Sequence, residues 1–215
     1  MNVYLNVVVL KNIAVFASGR GSNFAAILDK IQKGEIAARV VCVISDNERP
    51  PVFEIANAAG IPNFCLNRKQ FATPEEYANA LLNVLEKYDV DLIVLAGYLK
   101  LIPSPVVRKY PRAIVNIHPA LLPNFGGKGF YGMKVHEAVI ASGVKFSGVT
   151  IHFVDERYDT GSVICQEKVA VLPDDTPESL AARVLEVEHR LYPEVVKALC
   201  EDKIKFVNGK VVWEK

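Results

Sequence analysis

The stretch NIAVFASGRGSN, residues 12–23, constrains the fold of this 215-residue chain more than any other. Residues 12–18 form a nearly continuous apolar run, the pattern of a strand buried on both faces. The turn Gly19-Arg20-Gly21-Ser22-Asn23 comes next. Beyond it Phe24, Ile27, Leu28 and Ile31 recur at helical spacing, and Gly34 is a natural stop. A doubly buried strand that feeds a helix through a glycine turn is the opening unit of a parallel sheet with crossover helices.

The rest of the chain extends that pattern. Strands are expected over residues 39–45, 63–66, 91–96 and 113–117, and helices over 53–59 and 74–88. The helix at 74–88 begins with a proline and puts Tyr77, Leu81, Leu82 and Leu85 on one face. Residues 119–132 (PALLPNFGGKGFYG) are a loop by their proline and glycine content. A short helix at 134–142 comes after it, then strands at 147–154 and 162–171 separated by DERYDTG. A long helix at 177–200 contains Pro193, where a kink or interruption is expected. Asn208-Gly209 between β-rich arms predicts a type I′ hairpin over 204–213. The fold class is therefore α/β, a Rossmann-like, mostly parallel sheet flanked by helices, with antiparallel strands added in the C-terminal half. One domain is expected, with a nucleotide-binding-like half over about 12–118, a closing half over about 119–200 and the hairpin in 201–215.

Charge and composition exclude several classes. Twenty-five Lys and Arg against 24 Asp and Glu leave a net charge of +1, without the broad basic field of a typical nucleic-acid binder. No apolar run reaches the roughly 18 residues that would span a membrane. The N-terminal MNVYLNVVVL lacks a basic leader and a cleavage site, and reads as an extra strand or an ordered arm. Cys42, Cys65, Cys165 and Cys200 form no C-x-x-C pair and are expected as free thiols of a cytoplasmic protein.

Three features carry chemistry. The glycine turn admits an anion close to the backbone at a helix N-terminus, where free N–H groups and the helix dipole favour negative charge. It equally fits a tight turn with Ser22 or Asn23 as helix cap. It holds only two of the three glycines of a dinucleotide fingerprint, because Phe24 takes the last position, so a monophosphate suits it better than a pyrophosphate. Asn116 and His118 lie two apart at the end of an apolar strand, so both side chains face one spot, on the side where α/β sheets gather ligands. An amide can hold a developing oxyanion, and an imidazole can do the same or move a proton. Asp155, Glu156 and Asp159 share the DERYDTG loop, and spacing does not choose among them. His136, His152 and His189 make no H-x₃-H or H-E-x-x-H pair, so no metal site is expected. No G-x-S-x-G elbow is present.

Taken in order, FASGRGSN, LAGYLKLI, IVNIHPALLP, HFVDERYDTGSVI and EHRLYPEVV resemble the glycinamide ribonucleotide formyltransferase family over roughly residues 12–200. The resemblance implies transfer of a formyl group from 10-formyltetrahydrofolate to the glycinamide amine, a step of purine biosynthesis. It implies a catalytic trio of Asn116, His118 and Asp159, the last selected as the acid of the D-x-G turn. The ribonucleotide phosphate would rest on Gly21, Ser22 and Asn23, with Glu188 on the ribose and glycinamide. The pterin would lie against Leu99, Lys100, Leu101 and Ile102, with Asn116 and the loop from Asp155 to Asp159. A carboxylate beside an imidazole favours its charged form, so a protonated His118 is expected beside the formyl oxygen. The resemblance further implies small-molecule substrates, no metal, no nucleic acid, no membrane, and a monomer or homodimer.

Three departures from the family pattern stand out. Pro74 occupies a place where many members carry a basic residue for the folate glutamate, and Arg68 or Lys69 could substitute. The GGKGFYGMKVHEA segment is longer and richer in glycine than the commoner PGLH-like form. The ten residues before Lys11 are extra. Methionyl-tRNA formyltransferase and formyltetrahydrofolate hydrolase share the same site residues, but each is expected to need a further domain. A non-catalytic nucleotide-binding module would leave the trio without a role.

Overall fold

A computed structural model describes residues 10–214. The arm expected over residues 1–10 lies outside the described residues except for Leu10. The first strand, Lys11–Phe16 (β1), pairs in parallel with Ala38–Ser45 (β2) on one side and Leu92–Leu95 (β4) on the other. Asn63–Cys65 (β3) extends the sheet beyond β2, and Ile114–His118 (β5) joins β4 in parallel. Phe146–Phe153 (β6) and Val163–Ala170 (β7) then add on as antiparallel strands. The order is β3-β2-β1-β4-β5-β6-β7, with Ile204–Val207 (β8) and Lys210–Trp213 (β9) as a separate hairpin. Asn208 and Gly209 both have positive φ, 50° and 77°, which a type I′ turn requires. The expected α/β class with antiparallel C-terminal strands is the observed one.

The apolar run of β1 is explained by its two faces. Ile13 and Val15 point to the layer formed by Ser22–Gln32 (α1), Val52–Ala58 (α2), Met133–Ser142 (α5) and Pro177–Cys200 (α6). Ala14 and Phe16 point to the layer of Pro74–Lys87 (α3) and Ser104–Lys109 (α4). Alternate residues of one strand thus enter two cores, so none of them is free to be polar.

Element boundaries differ from the sequence expectation by one or two residues. The six-residue α4 carries no sequence signal, because it is shorter than the two turns needed to show a helical period. The interruption expected at Pro193 is also absent, and α6 is a single 24-residue helix. Proline removes one ladder hydrogen bond, but here Leu191, Tyr192, Pro193, Val195 and Val196 are all buried, and that packing holds the helix through the gap.

The chain leaves β1 toward β2, and later returns to the opposite side of β1 for β4. This reversal opens a crevice at the carboxyl ends of β1 and β4, the position where α/β sheets bind ligands. Tyr192 of α6 ties the crevice walls together, because its buried hydroxyl donates to the carbonyls of Leu95 (3.0 Å) and Val115 (3.1 Å) on neighbouring strands. Tyr192→Phe should lower stability by about 1–2 kcal/mol through loss of this shared hydrogen bond. Urea unfolding at neutral pH measures the change, and an unaltered midpoint would show that the hydroxyl contributes nothing.

Candidate active site

The glycine turn is built by sterics. Gly21 has φ 78°, and a Cβ there would lie 2.5 Å from Cγ2 of Val52. Only glycine therefore permits both the left-handed turn and the contact with α2. Gly21 is the N-cap of α1, and no side chain caps the helix. The capping role open to Ser22 or Asn23 in the sequence is not taken up. Asn23 instead donates through Nδ2 to Oε2 of Glu188 on α6, at 2.7 Å.

Asn116 and His118 end β5, and the antiparallel register places His152 of β6 opposite Asn116. His152 Nδ1 donates to the carbonyl of Phe153 (2.7 Å), which leaves Nε2 as an acceptor for Asn116 Nδ2 at 3.1 Å. One Asn116 amide hydrogen is thereby committed, and the other has no partner among the described residues. His118 Nε2 donates to the carbonyl of Phe125 at 2.8 Å. A carbonyl only accepts, so Nε2 carries the proton and Nδ1 is the basic end of the neutral ring. Asp159 completes the group, with Oδ2 3.7 Å from His118 Nδ1 and Oδ1 3.6 Å from His152 Nε2. Its carboxylate also accepts from the N–H of Gly127 at 2.8 Å.

The D-x-G turn owes its form to close backbone approach. Asp159 itself has φ 56°, and a Cβ on Gly161 would sit 1.8 Å from the Phe153 carbonyl oxygen. The turn can fold back onto β6, and bring Asp159 to the two histidines, only with glycine at 161.

Asn116, His118 and Asp159 line a cavity of about 660 Å³ that runs to the glycine turn. Of the residues singled out in the sequence, Gly21, Ser22, Asn23, Leu99, Asn116, His118, Asp159 and Glu188 line it. Lys100, Leu101, Ile102 and Asp155 do not. Lys100 reaches the buried carboxylate of Asp46 at 3.5 Å, Ile102 is buried in the α3 layer, and Leu101 N–H donates to the Tyr158 hydroxyl. Asp155 accepts from Thr160 Oγ1 and Arg157 N–H, and so shapes the loop that carries Asp159.

Residues 11–196 match the formyl transferase family. The chain belongs to that family. Phosphoribosylglycinamide formyltransferase of cowpea, Vigna unguiculata, is 49% identical over 205 residues, which cover 95% of this chain and 64% of the plant protein. The Bacillus subtilis phosphoribosylglycinamide formyltransferase is 37% identical over 190 residues, 88% of this chain and 95% of that one. The crystal structure of glycinamide ribonucleotide transformylase 1 from Symbiobacterium toebii superposes with a TM-score of 0.91 at 36% identity, over 100% of this chain and 99% of the other. This chain thus spans less than two thirds of the cowpea relative and nearly all of these two bacterial ones.

The candidate site contains residues that sequence reasoning did not assign to it. His152 touches two members of the trio, but only the β5–β6 register reveals this. Arg20 and Lys128 stand on the cavity wall with no ion pair among the described residues. Phe130, Tyr131 and Met133, from the long glycine-rich loop, and Tyr158 also line the cavity. His136 lines it too, and its buried Nδ1 has no partner among the described residues. Among the described residues no group of three or more His, Cys, Asp or Glu could hold a metal.

The electrostatics correct one expectation. Burial pushes the pKa of His118 below its ordinary value, and outweighs the opposing effects of the Asp159 charge and the Phe125 carbonyl. The resting imidazole is therefore neutral at pH 7, not protonated. Burial also opposes ionisation of Asp159, but contacts with His152, His118 and Gly127 N–H win and hold its carboxyl below the usual range. A histidine depressed in the folded state binds fewer protons than in the unfolded chain, so it costs stability as pH falls through about 6.5. NMR titration should find His118 titrating below about 6.5, and Asp159→Asn should move it lower still by removing the one nearby charge that raises it. A midpoint above about 6.5, or an upward move in the variant, would contradict this balance.

Proposed function

We propose that this formyl transferase moves the formyl group of 10-formyltetrahydrofolate to the amine of 5'-phosphoribosylglycinamide, giving formylglycinamide ribonucleotide and tetrahydrofolate. The observation that carries the reading is the convergence of Asn116, His118 and Asp159 at one end of a cavity whose other end is the glycine turn. The cavity volume of about 660 Å³ lies within the ordinary range for small-molecule sites. The relatives carry the names of this activity.

The ribonucleotide phosphate rests on the N–H groups of Gly21, Ser22 and Asn23, at the positive end of α1. Arg20 adds a cation on the same turn, and Glu188 meets the ribose and glycinamide. On the folate side, Leu99 N–H is committed to Ser18 Oγ and Leu101 N–H to Tyr158. The 99–102 segment therefore offers the pterin its carbonyls and the remaining N–H groups of Lys100 and Ile102, with the loop from Asp155 to Asp159 opposite. Lys100 and Asp155 act there through backbone and loop shape.

The folate supplies an activated formyl carbon, and the residues of this chain govern charge and protons. As the amine bonds to that carbon, negative charge moves onto the formyl oxygen, where the free amide hydrogen of Asn116 meets it. The amine nitrogen loses a proton to His118 Nδ1, and Asp159 stabilises the imidazolium so formed. The same proton then passes to the departing folate nitrogen as the carbon–nitrogen bond to it breaks. A ring already protonated could not accept this proton, which is why the neutral resting state matters. The reading makes the substrates small molecules, without nucleic acid, membrane or metal, and the protein a cytoplasmic monomer or homodimer.

Purified protein given both substrates should deformylate the folate in a ribonucleotide-dependent way, followed by absorbance. Turnover with water alone would overturn the assignment. Asn116→Ala, His118→Ala and Asp159→Asn should each lower kcat by about 10²–10³ with the fold intact by circular dichroism. A near-normal rate for any one variant removes that residue from the chemistry.

A further inference from the structure

The ribonucleotide end of the cavity contains a contact that neither substrate nor fold explains by itself. Asn23 is the second residue of α1, two positions beyond the N-cap Gly21, and its side chain caps nothing. Its side chain instead crosses to α6 and donates to Glu188, 165 positions away, at 2.7 Å. Both residues are more than nine-tenths buried, with 8% and 7% of their surface exposed. Both also line the cavity.

We propose that Asn23 is a positioning residue, which acts through Glu188 to fix the carboxylate that receives the ribonucleotide. The inference rests on the transfer reading above and deepens it. A buried carboxylate that is not hydrogen-bonded is costly and free to turn. Asn23 Nδ2 is the only hydrogen-bond donor to Glu188 among the described residues, and it engages Oε2 alone. The other carboxylate oxygen is left for a ligand.

The amide orientation is also determined. If it flipped, Asn23 Oδ1 would face Oε2, acceptor against acceptor. As placed, Oδ1 is buried without any partner among the described residues. An unmet buried acceptor costs free energy until a donor arrives. Asn23 therefore holds Glu188 through its donor side, while its own acceptor stays buried within the fold. Burial raises the Glu188 pKa, and the Asn23 hydrogen bond opposes that rise, so the same contact favours the ionised acceptor.

The geometry also joins two parts of the substrate site. The backbone N–H of Asn23 belongs to the phosphate turn, while its side chain belongs to the sugar-facing wall on α6. The spacing between phosphate and ribose is thereby set by one residue.

Steady-state kinetics with glycinamide ribonucleotide and 10-formyl folate test this in the intact protein. Asn23→Ala should raise the ribonucleotide KM by about 10–100-fold, with kcat changed by less than about threefold and the folate KM unmoved. In a Glu188→Ala background the same substitution should cost less than about threefold, because the acceptor it served is gone. Asn23→Asp keeps the shape and sets two carboxyl groups against each other, so it carries the test if the alanine variant does not fold. Paired with Glu188→Gln, it restores the hydrogen bond with donor and acceptor exchanged, and the double variant should bind the ribonucleotide more tightly than the two single losses multiplied together. Equal losses from Asn23→Ala in both backgrounds, or single losses that simply multiply, would overturn the inference. So would a fall in kcat together with a rise in the folate KM. A wild-type protein that does not turn over the ribonucleotide would instead defeat the transfer reading.

Discussion

The antiparallel register between β5 and β6 is the constraint on which the site depends. Asn116 faces His152 and His118 faces Thr150 across that pairing. A slip of one residue would turn the β6 side chains to the other side of the sheet. His152 would then leave Asn116 and Asp159, and Thr150 would lose its contacts to the Leu122 N–H and the Ala120 carbonyl. Those two contacts hold the start of the loop that supplies Phe125 and Gly127. Strand register, loop position and imidazole tautomer are thus successive consequences of one set of backbone hydrogen bonds.

Burial then decides the charges. Coulomb attraction between His118 and Asp159 favours an imidazolium, but at 3.7 Å, without direct hydrogen bonding, it does not recover the hydration that the ring loses. Asp159 differs because it accepts from the Gly127 N–H, and each imidazole beside it attracts the carboxylate once that ring is protonated. The result is an ionised acid beside a neutral base, the pairing that the proposed proton uptake from an amine requires. A carboxylate beside an imidazole, which the sequence motifs suggest, carries the sign of one interaction only. The desolvation of the ring depends on what covers it in three dimensions, and no motif encodes that.

The same division runs through the rest of the chain. Asn116 and His118 were legible because strand periodicity alone puts residues two apart on one side. The sheet was legible because residues 12–18 could be apolar throughout only if buried on both faces. Asp159 could not be chosen over Asp155 by spacing, since the distinction rests on a turn that folds back against Phe153. His152 carried no signal of its own, because the partner of a strand residue is set by register. The helix runs uninterrupted through Pro193, where a local rule about hydrogen bonds takes no account of the packing on either side of it. Asn23 looked like a helix cap, and only the approach of α6 gives its side chain a better partner.

The long glycine-rich loop shows why side-chain motifs describe this site incompletely. Its first residues act through backbone atoms, the Phe125 carbonyl on His118 and the Gly127 N–H on Asp159. Phe125 has φ 56° and Gly127 φ 91°, so the carbonyl and the N–H are aimed by left-handed backbone. Gly126 between them has no room for a side chain, since a Cβ would lie 2.3 Å from Leu122 and 3.3 Å from Asp159. The glycines at 126 and 127 therefore belong to the geometry of the candidate site as much as the histidine and aspartate they orient. The later part of the loop, from Lys128 to Met133, lies on the cavity wall instead. One segment thus fixes His118 and Asp159 with its first turn and presents a cation and apolar side chains to the cavity with its second, so a change in the loop's length must alter both together.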